Sequence, residues 1–421
     1  MSRGPSRRLV ALAAIAIVLA GGAVAVALFA FGSPPQGGIV PPTGVTVATV
    51  DTTPVKPKPP VPRPVAREKP CWEAFGGGPK RALARPDIRL GVPTRAVWAR
   101  GLHDLMEYPP TTCDGQLYVN LERGRTVALE ASSGKVLWSR RASGPTASSP
   151  AIAGNRIIVS SHGGTVTALR RRDGRLLWEL RTETPVESSP VVVDGVAYVG
   201  ASDGRLFALN VRTGKPLWIY DLKGRISSSP SVIGGRVCIT TYSGAVACLH
   251  RADGTLAWIH YFKRDAFRYE SFYASASSDG KRLFTVARTG RFLALDPATG
   301  GELWSYGTGA LTYGTPSTAN GRVFVADLGG SVHALRTTTG ATLWRTRAPG
   351  RILGPTLVVG NLVFFSTLEG RTYAARTVDG RIVWQFRGGK YAPGIATGRR
   401  YYFSFNGLLV AFDGTTRSRK P

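Results

Sequence analysis

Eight tryptophans set almost uniformly 40 residues apart, glycines at three turns inside the intervals, and short alternating apolar runs between those turns predict an all-β chain. The fold they predict is an eight-bladed β-propeller of four-stranded antiparallel blades. The tryptophans are Trp98, Trp138, Trp178, Trp218 and Trp258, then Trp304 after an interval of 46, then Trp344 and Trp384. At 421 residues the chain is longer than one ordinary hydrophobic core serves. A repeat removes that difficulty, because each unit buries its faces against its neighbours. Composition agrees: 51 glycines without a Gly-X-Y period exclude collagen, and 43% hydrophobic residues exclude wholesale disorder.

In chain order, residues 1–8 are a basic tail carrying Arg3, Arg7 and Arg8, and residues 9–31 carry no charge. At 1.5 Å per residue that run spans a hydrocarbon core of about 30 Å. It predicts a single-pass transmembrane anchor with its N-terminus in the cytoplasm and everything beyond it exported. The alternative is a signal peptide cleaved near Ala25 or Ala27, although such peptides have apolar regions of only about 7–15 residues. Residues 32–70 read as a Pro-rich linker: Pro54 to Pro64 alternates proline with Lys56, Lys58 and Arg63, which favours extended polyproline II.

Residues 71–93 form a pre-propeller segment, residues 94–414 the propeller, and residues 415–421 a basic C-terminal tail. Each unit opens at a small or hydroxylated residue before proline, as in Ser148-Ser149-Pro150, Ser188-Ser189-Pro190 and Ser228-Ser229-Pro230. Three glycine turns follow, and the tryptophan strand closes the unit. A four-stranded meander cannot bury both faces alone, so blades stack radially, with the tryptophan as the large apolar side chain between them. After Trp384 only three strands remain. The run around Trp98 supplies the fourth, closing the ring and removing an exposed edge. Seven blades is the alternative if Trp98 stands outside the repeat.

The third turn carries a family resemblance. Ala128-Leu-Glu-Ala-Ser-Ser-Gly134-Lys-Val-Leu-Trp138, Ala208-Leu-Asn-Val-Arg-Thr-Gly214-Lys-Pro-Leu-Trp218 and Ala294-Leu-Asp-Pro-Ala-Thr-Gly300-Gly-Glu-Leu-Trp304 resemble the tryptophan-docking motif of PQQ-like propeller repeats. WD40 repeats have a similar period but expect Asp after Trp, where this chain has Ser139, Glu179, Ile219, Ile259, Ser305, Arg345 and Gln385. The resemblance implies one of two branches. Quinoprotein dehydrogenases use pyrroloquinoline quinone and Ca²⁺, often with an adjacent cysteine pair, acidic and amide metal ligands and an aspartate base. In this chain Cys71, Cys113, Cys238 and Cys248 are not adjacent, and most recurrent acids sit beside turn glycines, where they form turns. The other branch is the non-enzymatic, BamB-like propellers of the bacterial envelope, and this is the branch expected here, with no cofactor, no metal and no catalytic residue. A ligand-sensing domain of an envelope signalling system is a further alternative.

Charge and the one insertion suggest where a partner docks. The formal charge is +28; the first 70 residues carry +6 of it, which leaves +22 on the rest. Such a surface attracts polyanions, and export makes an envelope protein or anionic polymer the expected partner rather than nucleic acid. Arg125, Arg205, Arg291 and Arg371 each directly follow the second turn glycine of their unit, on the rim that also bears the blade-to-blade connections. The insertion after Trp258 lands on the same rim with Tyr261, Phe262, Lys263, Arg264, Arg268 and Tyr269. These ten residues are the candidate contact surface of a monomeric propeller; packing of the insertion on its neighbour is the alternative. Among the cysteines, Cys238 and Cys248 face each other across a hairpin, which leaves Cys71 with Cys113, although sequence does not choose among the three connectivities.

Overall fold

The computed structural model describes residues 37–42, 45–49, 71–398, 400–405 and 407–414. The predicted tails, the anchor over residues 9–31 and the linker over residues 50–70 lie outside the described residues. Among the described residues no helix is long and apolar enough to cross a membrane.

Eight sheets, each built on a four-stranded antiparallel meander, make eight blades; Ala84–Arg85 adds a short parallel strand to the seventh. Blade 1 is Thr111–Cys113, Gln116–Leu121, Arg125–Glu130 and Val136–Arg141, in that order. The first strands of blades 2 to 8 are Ala151–Ala153, Val191–Val193, Ser231–Ile233, Ser277–Ser278, Ser317–Ala319, Leu357–Val359 and Ile395–Thr397. First strands of neighbouring blades touch one another from blade 1 to blade 7, which places them around the axis. The fourth strands of blades 2 to 7 are Leu176–Arg181, Pro216–Asp221, Leu256–Tyr261, Glu302–Gly307, Thr342–Arg347 and Ile382–Arg387. Blade 8 is closed as expected: Arg95–Gly101 is its fourth strand, antiparallel to Leu408–Asp413 with Ala411 opposite Trp98.

The core is a set of slabs between adjacent blades rather than one central mass. One slab joins Ile158 and Trp178 of blade 2 to Phe207 of blade 3, and another joins Phe324 of blade 6 to Phe365 of blade 7. A large slab of blades 7, 8 and 1, including Phe364, Tyr402 and Leu129, closes the ring.

In every blade the fourth strand slips by one residue against the third, at Ala128/Leu129 in blade 1 and at Ala208/Leu209 in blade 3, for example. The bulge sets a small residue opposite each tryptophan and turns the preceding aliphatic outward, so Val97, Leu137, Leu217, Leu303 and Val383 are exposed. The indole then docks on the next blade. Nε1 of Trp98, Trp138, Trp178, Trp218, Trp304 and Trp344 donates to the carbonyl 33 residues on, at Ala131, Arg171, Val211, Arg251, Thr337 and Thr377. Trp258 reaches Pro297, 39 residues on, across the insertion. Each of these rings lies under the turn glycine of the next blade, from Gly134 over Trp98 to Gly380 over Trp344. Trp384 faces the composite blade and stacks on Phe386 and Phe403 instead.

Residues 38–49 correct the linker boundary. Gly38–Ile39 pairs with the fourth strand of blade 3 and Thr46–Thr49 with that of blade 2. The reason is visible in the sequence between the prolines: Val40, Val45 and Val47 alternate and pack on the slab between blades 2 and 3.

The axis is filled by the chain itself. Strands nearest an axis present an unpaired edge whose N–H groups need acceptors, and residues 72–85 supply them. The N–H of Thr112, Ile152, Val232, Ser278, Thr318 and Val358, the second residue of six first strands, donates to the carbonyl of Trp72, Glu73, Pro79, Lys80, Ala82 and Leu83 respectively. Blade 8 receives the Trp72 indole N–H at the Ala396 carbonyl, and blade 3 receives Arg81 at the Ser189 carbonyl. This plug therefore bonds all eight blades. Arg81 is its pivot: fully buried, it donates from Nη1 to the Phe75 carbonyl at 2.7 Å, from Nη2 to Ser189 at 2.7 Å and from Nε to Pro230. Burial pulls its guanidinium down to about 9, with Tyr108 pushing the other way, so it remains a cation at neutral pH. The disulfide Cys71–Cys113 ties the start of the plug to blade 1.

Two substitutions test this architecture. Gly214→Ala places a methyl 2.6 Å from the Trp178 ring at a φ of +74°, whereas Gly195→Ala, at φ +77°, meets nothing within 4 Å. Both lose the same backbone freedom, so Gly214→Ala is expected to lower stability by about 1–3 kcal/mol more than Gly195→Ala, read as the difference in denaturant midpoints. Arg81→Met leaves three buried carbonyls without their donor. At about 1–3 kcal/mol each, it is expected to lower the melting temperature by several degrees, and an unchanged transition would show that the plug is not held through this residue.

Candidate functional site

Blade-to-blade connections and second turns share one end of the propeller. There the plug stops short of the surface and leaves a cavity of about 140 Å³ on the axis. Phe75 of the plug lies against it, and the connections wall it with Glu107, Tyr108, Ser227, Tyr273, Tyr313 and Tyr391 among others. The serine–proline openings explain why the wall is rigid. Ser149 N–H donates to Ser189 Oγ, Ser189 to Ser229, Ser229 to Ser275 and Ser275 to Thr315, so hydroxyls link successive connections around the axis.

Two groups of aromatic rings lie in the wall and at its margin. Tyr242, Tyr273 and Tyr313 meet edge to face at 6.2 and 5.8 Å between centroids, and Phe75 meets Tyr108 at 5.7 Å. Burial, the nearby acids and a hydrogen bond with Tyr273 push the Tyr108 hydroxyl well above its ordinary value, so it stays neutral. Burial and the neighbouring Glu122 also raise the Glu107 carboxyl, with His162 opposing. Cations occur on the rings nearby: Arg225 lies over Tyr242 and Lys390 over Tyr391, each at 5.6 Å.

The four rim arginines stand on the same end, each opening the third strand of its blade. Three of them clamp blades together. Arg125, Arg205 and Arg291 donate to the carbonyls of Leu102, Thr182 and Lys263 in the connection before their own blade. Arg205 also pairs with Asp203 and Arg291 with Glu302. Arg371 has no side-chain hydrogen bond or ion pair among the described residues. The insertion divides likewise. Phe262 packs on buried Phe272 beneath Arg291, while Lys263 and Tyr269 bridge the base of a tight turn. Arg264 N–H closes the turn on the Arg268 carbonyl, Arg268 pairs with Asp265, and Tyr261 stacks edge to face on Tyr269. Phe267 at the tip is 88% exposed. The candidate contact residues thus share one end of the molecule, but much of their bonding capacity is directed inward. Both cysteine pairs form as disulfides, Cys238–Cys248 directly opposite in one hairpin.

Two features were not anticipated. The first is the plug: residues 71–93 read from sequence only as a pre-propeller segment, although Trp72 stands outside the 40-residue register and precedes the run Gly76-Gly77-Gly78. The second is a buried relay between blades 5 and 6: Asp327 Oδ2 lies 2.7 Å from His333 Nε2, and His333 Nδ1 lies 3.0 Å from the Tyr306 hydroxyl. Nothing in the spacing of these residues marks them, because the contact joins two blades.

A quinone–calcium site needs a broad flat cavity and convergent oxygen ligands. The axis offers neither: the plug fills it, the remaining space is below the roughly 300 Å³ at which pockets for drug-sized ligands begin, and Glu107 is the one carboxylate in its wall. The one cluster of potential metal ligands among the described residues is Cys71, Cys113 and Asp114, whose sulfurs are joined in a disulfide. The residues do not fit that cofactor.

The relay predicts a pH dependence. Burial alone would raise the Asp327 carboxyl, but hydrogen bonds from His333, Ser331 N–H and Gly329 N–H outweigh it and hold the carboxyl below its ordinary value. Stability from this group is therefore present above about pH 4 and lost as pH falls through its folded value. Asp327→Asn should lower the melting temperature at pH 7, and the gap to the wild type should narrow by pH 3.

Comparison with known proteins follows this geometry. The structure is similar to BamB from Moraxella catarrhalis, with a TM-score of 0.62 at 15% identity over 78% of this chain and 99% of that one. It is similar to a europium-containing methanol dehydrogenase, with a TM-score of 0.69 at 14% identity over 82% and 90%. It is also similar to the quinohemoprotein alcohol dehydrogenase of Comamonas testosteroni, with a TM-score of 0.65 at 13% identity over 84% and 82%. At such identities the likeness establishes the fold alone. No curated protein matches the sequence. The family model for the outer membrane protein assembly factor BamB matches residues 90–263, 244–325 and 288–417, well over half of the chain, and with the docked tryptophans of the blades this makes the chain a member of that PQQ-repeat propeller family.

Proposed function

We propose that this chain is a non-catalytic binding module of the cell envelope, held at the membrane by residues 9–31 with its propeller outside the cytoplasm, and that it receives a partner protein on the connection-bearing end. The observation that carries the reading is the plug. In the quinone-dependent alternative the axis must hold the cofactor, whereas here residues 72–85 occupy it and bond every blade. A propeller sealed in this way is a rigid platform, and its loops are free to vary for recognition. Membership in the family described for BamB supports the same reading. The +22 charge on residues 71–421 supports an envelope partner with acidic surface, drawn first to the exposed cations of the rim.

The deciding measurement is a titration of the full-length chain with pyrroloquinoline quinone and Ca²⁺, following tryptophan fluorescence and dye-coupled oxidation of alcohols and sugars. The expected result is no saturable quenching and no turnover. Tight binding with turnover would overturn the proposal.

A further inference from the structure

We propose that the axial cavity is a receptor for a single organic cation, the ammonium or guanidinium group of a lysine or arginine side chain presented by a partner polypeptide. This deepens the binding-module reading and rests on it. The cavity is anomalous in charge. The chain carries 54 Lys and Arg against 26 Asp and Glu, yet no lysine or arginine is among the residues that wall this cavity, and Glu107 is.

Glu107 makes no hydrogen bond or ion pair among the described residues. Two other acids on this end are committed: Glu187 pairs with Arg225 at 2.7 Å, and Asp104 accepts the N–H groups of Leu105 and Arg123. A partly buried carboxylate without a partner is costly unless it takes up a proton, the direction in which burial and Glu122 push it, or a cation completes it. A second, independent polar group points to a ligand: Ser227 lines the same cavity, is 4% exposed, and has no hydrogen-bond partner for its buried Oγ.

The remaining wall suits a cation rather than a neutral or anionic ligand. Tyr108, Tyr273, Tyr313 and Tyr391 line it, and aromatic rings attract cations. Arg225 on Tyr242 and Lys390 on Tyr391 show the same contact at the margin. Size then restricts the ligand: about 140 Å³ takes one extended side chain and excludes a folded peptide. An anion would be repelled by Glu107, and a neutral sugar, though its hydroxyls can donate to the carboxylate, would leave its charge unbalanced.

The test uses the full-length chain and two probes that differ by the terminal ammonium, Nα-acetyl-lysine methylamide and the uncharged Nα-acetyl-norleucine methylamide, with ligand-observed NMR and tyrosine fluorescence as readouts. Saturable binding of the lysine probe, and of the arginine analogue, with norleucine at least tenfold weaker, is the expected result. Glu107→Gln should weaken lysine binding roughly tenfold, about 1.4 kcal/mol, without lowering the melting temperature, since no hydrogen bond or ion pair among the described residues is lost. Tyr313→Leu, which removes a ring and leaves the carboxylate, should weaken it independently. Equal binding of lysine and norleucine probes, no binding of either, or Glu107→Gln binding like wild type would each overturn the inference. The two proposals fail separately: a missing lysine response without quinone binding removes only this one, whereas quinone binding with turnover removes the module reading itself.

Discussion

The structure depends on one repeated contact, the docking of an indole from one blade onto the third turn of the next. The Nε1–H meets a turn carbonyl while the ring lies flat beneath a turn glycine at positive φ, as Trp178 does with Val211 and Gly214. A single contact thus combines apolar burial with a satisfied polar tip. It also fixes the distance and angle between neighbouring blades. Because the contact is made between consecutive units, repeating it forces a curved stack, and the curve returns to its start after eight blades. The composite blade is the exception that closes the ring. Trp384 meets aromatic neighbours there instead of a glycine turn, and Phe386, Phe403, Phe405 and Phe412 form the densest aromatic group among the slabs.

Closing a ring creates a second problem at its centre, where eight first strands turn an unpaired edge toward the axis. Water in a channel is one answer; this chain uses its own segment. Residues 72–85 follow the edges from blade to blade, and left-handed backbone at Arg81 and Leu83 lets carbonyls of a short loop diverge in several directions. Strain of this kind is tolerated where surrounding contacts over-determine the conformation, and the three carbonyl bonds of Arg81 do so. The consequence for function is direct. The cavity on the axis lies at the connection-bearing end, and its chemistry is set by whichever residues the connections contribute.

That end combines two unlike electrostatic surfaces. Around it lie cations, several of them clamped to neighbouring connections; at its centre lie tyrosines and a carboxylate without a partner. A partner that engages both needs acidic groups at its periphery and a basic side chain at its middle. Complementarity of that pattern would supply orientation as well as attraction.

The blade repeat, the composite closure, the structural role of the tryptophans and the rim on which Arg125, Arg205, Arg291 and Arg371 stand were all legible in the sequence. These follow from local rules, namely turn glycines, alternation and a fixed period, and such rules act over a few residues at a time. The strand at Thr46–Thr49 was legible too, in the alternation of Val45 and Val47, but the prolines on both sides masked it. What the tertiary structure alone decided concerns contacts between units. The plug bonds residues up to 324 positions apart, from Trp72 to Ala396, and no periodicity encodes where a non-repeating segment will lie. The inward bonding of the rim arginines, the Asp327–His333–Tyr306 relay and the meeting of Glu107 with four tyrosines arise the same way. Each joins groups from different blades or connections, and their proximity exists only once the ring has closed.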